Sequence, residues 1–210
     1  MRDKTPFIKG LYAIIDSTYA PLELAGEYAG SLAEGGAKII QLRAKGTPGA
    51  ILLKAAQEAR KALPENALFI VNDRIDIAML SGAQGVHLGQ DDIPLKEARR
   101  LLPSSIIGVS THNMEEAKRA AAEGADYISF GPIFPTRTKG DADTPKGLEA
   151  LHKIASSIGV PVVAIGGITE ATALSVLRAG ASSIAIISDI LLATDIREKT
   201  SAIAAIIEKG

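Results

Sequence analysis

Gly36-Ala37-Lys38-Ile39-Ile40-Gln41-Leu42-Arg43-Ala44-Lys45 is a turn signal, an apolar β-branched run and a polar cluster, in that order. The Gly-Ala step reads as a helix terminator leading into a strand. Within the strand end, alternation sets Gln41, Arg43 and Lys45 on one face and Leu42 on the other. The same pattern recurs along the chain. Gly82-Ala83, Gly124-Ala125 and Gly180-Ala181 also precede apolar runs, and turn chemistry alone accounts for each pair taken singly. Their recurrence before the second, fourth, sixth and eighth runs points to an array of paired βα units.

Working outward, eight apolar runs predict strands: Leu11 to Ile15, Lys38 to Leu42, Leu68 to Val71, Gly85 to Leu88, Ile106 to Val109, Tyr127 to Phe130, Val162 to Ile165 and Ser183 to Ile187. Between and after them, helical spacing marks Leu22 to Glu34, Ala50 to Leu63, Asp76 to Ser81, Leu95 to Leu102, Met114 to Glu123, Gly147 to Ser157, Glu170 to Ala179 and Ile196 to Lys209. Eight alternations of strand and helix predict a parallel sheet, and that number favours closure into a single (β/α)8 TIM barrel over an open doubly wound sheet. A length of 210 residues suits one such domain over residues 1–210.

Composition narrows the function. With 23 basic and 24 acidic residues the net charge is -1, so no whole-protein field favours nucleic acid or an anionic membrane. Anions must be bound locally. No cysteine is present, which removes thiolate nucleophiles and zinc–thiolate sites. The polar stretch Met1 to Gly10 and the short run ending at Asp16 read as neither a signal peptide nor a membrane span, so a cytoplasmic protein is expected. Homo-oligomerisation is left open.

In a parallel barrel the strand ends open on one face, where catalytic loops gather. The clusters there mix cations, carboxylates, hydroxyls and an amide, which describes a site for a polyphosphate handled through a divalent metal. Arg43 offers a planar fork for phosphate oxygens and Lys45 a point charge. Asp73, after Asn72, and Asp92 follow adjacent strands, and Mg²⁺ prefers one or two carboxylates completed by water and phosphate. A helix N-cap for Asp73 and a turn for Asp91 and Asp92 are the competing readings. Ser110 reads as a ligand to substrate or as a helix cap. His112 is a candidate base without a triad-like partner in the sequence, and His87, inside a strand, reads as a satisfied core group. Gly131 to Lys146, with three prolines, two glycines and three threonines, reads as a functional loop. Within it Thr136-Arg137-Thr138-Lys139 is suited to wrap an anion. Gly166-Gly167 and Ile187-Ser188, after the seventh and eighth strands, stand where barrels bind phosphate through backbone amides.

In order, Gln41-Leu-Arg-x-Lys45, Val71-Asn-Asp-Arg74, Gly85-Val-His-Leu-Gly-Gln-Asp-Asp92, Gly108-Val-Ser-Thr-His112, Gly124-Ala-Asp-Tyr127, Gly131-Pro-Ile-Phe-Pro-Thr-x-Thr-Lys139 and Ala164-Ile-Gly-Gly-Ile168 resemble the thiamine-phosphate synthase family. The resemblance runs from about Leu11 to Ser188. It implies a Mg²⁺-dependent transferase with two small phosphorylated substrates, joining 4-amino-2-methyl-5-(diphosphooxymethyl)pyrimidine to a thiazole phosphate by dissociative substitution, with loss of pyrophosphate. It implies that Gln41, Leu42, Arg43, Ala44, Lys45, Asn72, Ser110 and Lys139 meet the pyrimidine diphosphate. Thr136, Arg137, Thr138, Gly167, Ile187 and Ser188 would meet the thiazole phosphate. Asp73 and Asp92 would bind the metal, and Arg43, Lys45, Ser110 and Lys139 would carry the chemistry. A thiazole tautomerase on the same barrel and a noncatalytic sensor of phosphorylated thiamine precursors are the alternatives.

Overall fold

The computed structural model describes residues 8–136 and 144–210. Eight parallel strands close into a barrel in sequence order. They are β1 (Gly10–Asp16), β2 (Ile39–Arg43), β3 (Leu68–Asn72), β4 (Gly85–Leu88), β5 (Ile106–Thr111), β6 (Tyr127–Phe130), β7 (Val162–Ile165) and β8 (Ser183–Ile186). Closure is made by β8 against β1, with Gly10 opposite Ser183 and Ala13 opposite Ile186. Eight strands enclose a lumen just wide enough for side chains to fill. Both faces of each strand are therefore buried, which is why the runs are almost wholly apolar rather than alternating.

The helices are α1 (Ala25–Glu34), α2 (Gly49–Ala62), α3 (Ile75–Ser81), α4 (Leu95–Leu101), α5 (Met114–Ala122), α6 (Gly147–Ser157), α7 (Glu170–Arg178), α8 (Ser188–Leu191) and α9 (Ile196–Lys209). Each lays one stripe on the barrel. In α1 it is Ala25, Ala29 and Leu32; in α2 it is Leu52, Ala55, Ala56 and Ala59. Alanine predominates because it lets a helix axis approach the sheet closely. Starts are fixed locally: Asn113 accepts from the Glu116 N–H and Asp195 from the Glu198 N–H, each at 2.9 Å. The four recurring glycines, Gly36, Gly82, Gly124 and Gly180, all have φ between 74° and 101°, as a left-handed helix terminator requires.

Two elements depart from the sequence reading. The stretch Leu22 to Glu34 is not one helix: a 3₁₀ turn, Leu22–Leu24, follows Pro21 and hands over to α1. Pro21 pre-sets φ for that tight first turn. After β8 the chain makes the single-turn helix α8 before α9, an element too short for periodicity to reveal. Among the described residues no helix is long and apolar enough to cross a membrane.

Candidate active site

The inward-facing ends of the strands form two connected regions. A small cavity of about 30 Å³ in the barrel lumen is bordered by Tyr12, Gln41, Arg43, Asn72, His87, Ser110 and Ser129, with Ile14, Val163, Ile165, Ala185 and Ile187. A cavity of about 670 Å³ opens beside it, lined by Ser110, His112, Thr136, Gly166, Gly167, Thr169, Ile187 and Ser188 among others. Ser110, Ser129, Ile165, Ala185 and Ile187 border both. Of the residues that the resemblance assigns to the substrates, Gln41, Arg43 and Asn72 border the small space, Thr136, Gly167 and Ser188 the large one, and Ser110 and Ile187 both, while Lys45 borders neither and is exposed beside Asp73. Leu42 and Ala44 line neither cavity; their side chains are buried on the opposite face, as alternation requires. Arg137, Thr138 and Lys139 lie outside the described residues.

At the rim of the first region, Arg43 is already engaged. Its Nη1 donates to Oδ2 of Asp16 at 2.5 Å, and Asp16 is fully buried. The register puts these two residues directly opposite on β1 and β2. The other oxygen of Asp16 accepts from the Thr18 N–H at 2.9 Å. In the sequence Asp16 stands out only as the end of an apolar run. The signal was available, since Asp16 ends its strand just as Arg43 and Asn72 end theirs.

Asp73 is not an N-cap. The residue before α3 is Arg74, which makes no side-chain cap. Instead Asp73 adopts φ 62°, the one non-glycine residue with positive φ among those described. Its N–H donates to the His87 carbonyl at 2.8 Å, which anchors the turn to β4. This conformation turns the carboxylate toward Lys45 Nζ, 3.7 Å away, and toward Asp92. Burial first, then the hydrogen bond and negative charge of Asp92, push the Asp73 carboxyl up to about 6, against the opposing pull of Lys45 and Arg43. Asp92 also accepts from the Gly89 N–H at 2.7 Å, so the turn reading holds for it as well. Among the described residues no group of three or more acidic or imidazole side chains gathers. The pair is nevertheless a fitting donor set for a hard divalent ion that keeps waters and phosphate in its remaining positions.

Ser110 does not cap α5, a role Asn113 fills. Its Oγ lies 2.9 Å from His87 Nε2. His87 is buried and fully engaged, as expected of a satisfied core histidine. His112 has a partner after all, because its Nδ1 lies 3.0 Å from Glu116 one helical turn on. Glu116 also accepts from the His112 N–H at 2.8 Å, so the contact holds the strand end to α5.

In the second region Gly166 and Gly167 have φ 99° and 64°. A Cβ on Gly166 would stand 2.4 Å from Pro132 Cβ, and one on Gly167 would stand 2.4 Å from the Pro135 carbonyl oxygen. The close approach is therefore to the 131–136 segment, which docks through the Ile133 N–H on the Ile165 carbonyl and the Phe134 N–H on the Gly166 carbonyl. That docking carries Thr136 to the cavity wall. Ile187 and Ser188 reach it from the end of β8 and the first turn of α8.

A family model described as thiamine monophosphate synthase matches residues 11–190. The chain belongs to the thiamine monophosphate synthase family. It is 46% identical over 183 residues to a thiamine-phosphate synthase of Methanoculleus marisnigri, covering 86% of this chain and 87% of that one. It is 42% identical over 202 residues to that of Shouchella clausii, covering 95% and 97%. A thiamine phosphate pyrophosphorylase structure from Pyrococcus furiosus superposes with a TM-score of 0.89 at 39% identity and 97% coverage of both chains. The fold reaches further than the family: a 3-hexulose-6-phosphate synthase structure has a TM-score of 0.72 at 23% identity, covering 94% of this chain and 99% of that one.

Proposed function

We propose that this chain, a thiamine-phosphate synthase by family, is a single catalytic domain over residues 1–210 that works through two adjoining half-sites, a pyrimidine diphosphate half and a thiazole phosphate half. The observation that carries this reading is that the strand-end residues border one continuous space, a cavity of about 670 Å³ with a recess of about 30 Å³ toward the lumen, Ser110, Ser129, Ile165, Ala185 and Ile187 lying on both. An isomerase or sensor of one monophosphate has no use for the added cations Arg43 and Lys45 or for the Asp73–Asp92 carboxylate pair.

In the first half, Gln41, Asn72 and Ser110 receive the pyrimidine, while Arg43 and Lys45 meet the diphosphate. The backbone around Leu42 and Ala44 completes the strand end. Asp16 holds the Arg43 guanidinium in place before substrate arrives. Asp73 and Asp92 would hold Mg²⁺, which fits their paired carboxylates and, when bound, neutralises charge on the diphosphate leaving group. Lys139, outside the described residues, adds a further cation in this reading. In the second half, Thr136, Arg137, Thr138, Gly167, Ile187 and Ser188 receive the thiazole phosphate.

The reaction is a dissociative substitution. Pyrophosphate departs with the electrons of the carbon–oxygen bond at the pyrimidine methylene, and the thiazole nitrogen donates its pair to that carbon. Such a reaction needs no enzymic nucleophile. It needs cations at the leaving group and a second substrate held in line, which Arg43, Lys45 and Lys139 on one side and the thiazole half-site on the other supply.

The test is a pyrophosphate-release assay with each substrate omitted in turn, in Mg²⁺. Release that requires both substrates supports the synthase. Conversion of the thiazole phosphate alone would identify a tautomerase, and binding of it without any turnover a sensor.

A further inference from the structure

Five side chains form one continuous hydrogen-bonded chain across the barrel lumen. Gln41 Nε2 donates to the Tyr12 hydroxyl at 2.6 Å. The Tyr12 and Tyr127 hydroxyls are 2.9 Å apart, and the Tyr127 hydroxyl is 2.9 Å from His87 Nδ1. His87 Nε2 is 2.9 Å from Ser110 Oγ, with Ser129 Oγ at 3.3 Å. The chain therefore links Gln41 on β2 to Ser110 on β5 through β1, β6 and β4. Space is reserved for it: a Cβ at Gly108 would stand 2.0 Å from the Tyr127 ring. A barrel of this size closes well on apolar side chains alone, and a buried polar chain gains little over them in stability. Its value has to lie elsewhere.

The orientation of the Gln41 amide, nitrogen toward Tyr12, would give the chain a direction. The amide nitrogen of Gln41 can only donate, so the Tyr12 hydroxyl accepts there and sends its single proton to Tyr127. Tyr127 in turn sends its proton to His87 Nδ1. A neutral imidazole that accepts at Nδ1 carries its proton on Nε2 and donates it to Ser110 Oγ. The proton of Ser110 then points away from His87, toward the cavities that Ser110 borders. At the other end, with its amide nitrogen turned to Tyr12, Gln41 keeps Oε1 as its acceptor, and the residue borders the small cavity. Burial pushes both phenols up, so each keeps the proton that the relay requires.

We propose that Tyr12, Tyr127 and His87 are positioning residues that act through Gln41 and Ser110, fixing an acceptor at one and a donor at the other to match the amino group and ring nitrogen of an aminopyrimidine. This assignment rests on the reading of the strand-end region around Gln41, Asn72 and Ser110 as the pyrimidine half-site. The relay makes Gln41 and Ser110 interdependent, although their Cα positions belong to strands that do not pair.

The experiment has two arms. In the first, ¹⁵N-detected NMR of the wild-type protein reads the tautomer of His87 among three histidines, with His152→Gln, on the outer helix α6, as an aid to assignment. A proton on Nε2 is expected. A proton on Nδ1 would reverse the chain and overturn the proposal, whatever the enzyme's activity. In the second, Tyr127→Phe removes one hydroxyl at nearly constant volume, and Tyr12→Phe breaks the chain one link earlier should the first variant not fold. The KM for the pyrimidine diphosphate is expected to rise roughly tenfold, in line with one unmade buried hydrogen bond. The KM for the thiazole phosphate should hold within about twofold. Equal changes in both constants, or none, would reduce the chain to a structural role. Absence of pyrophosphate release by the wild type would sink the synthase reading, and the first arm would still decide the direction of the relay.

Discussion

Arg43 Nη1 and Asp16 Oδ2 lie 2.5 Å apart, the carboxylate fully buried and the guanidinium side chain 13% exposed. The pair sits at the mouth of the barrel, in register on adjacent strands. Its arrangement fixes the guanidinium in advance, so that, on the proposed role of Arg43 at the diphosphate, less conformational freedom is lost when substrate binds.

Asp16→Ala should therefore act on both stability and binding. Breaking a buried pair from one side leaves the other charge uncompensated, at a cost of about 3 kcal/mol. Thermal melts should show that loss. The KM for the pyrimidine diphosphate should rise more than the KM for the thiazole phosphate, because Arg43 borders only the small cavity.

Asp73→Asn is the informative substitution at the carboxylate pair. Asn tolerates the left-handed φ of 62° that Asp73 adopts, so the backbone is kept while the charge is lost. Turnover and its Mg²⁺ dependence should fall far more than the melting temperature. An equal loss of both would show that the residue serves the turn alone.

The same residue predicts a pH dependence of the metal-free protein. Asp73 is raised from 3.8 to about 6, so the folded state holds its proton more tightly than the unfolded chain does. The stabilising contribution of the protonated form is complete below 3.8 and is lost as pH rises through about 6. Melting temperatures measured in chelator should accordingly decline in this window relative to Asp73→Asn, which lacks the titration. Bound Mg²⁺ should reverse the trend, since it favours the ionised pair.

Gly167→Ala places a methyl group 2.4 Å from the Pro135 carbonyl oxygen at a φ that L side chains rarely adopt. A destabilisation of about 2–4 kcal/mol is expected from strain and overpacking together. The displaced 131–136 segment should raise the KM for the thiazole phosphate. Thermal melts and steady-state kinetics with each substrate varied separate the two effects.

Arg99→Ala supplies the control at the opposite end of the barrel. Arg99 donates to the carbonyls of Leu102, Ser105 and Gly124 and to Asp126, which also accepts from the Ile107 N–H. Its loss should lower stability by about 2 kcal/mol and leave both KM values unchanged, because the N-terminal face of a barrel serves stability.

The alternation of buried apolar runs with amphipathic stretches determined eight strands, their order and their closure. Those patterns are local: short continuous apolar runs mark strands buried on both faces, and the 3.6 period marks the helices between them. The strand-end positions of Arg43, Asn72, Asp73, Asp92 and Ser110 were legible for the same reason. Only the tertiary structure decided what each one meets. Asp16 became the partner of Arg43 through register across two strands, and Asp73 left its helix cap because β4 holds its N–H. The relay from Gln41 to Ser110 joins residues as many as 115 positions apart. No local period encodes such contacts; the closed barrel makes them by bringing five strands around one narrow lumen.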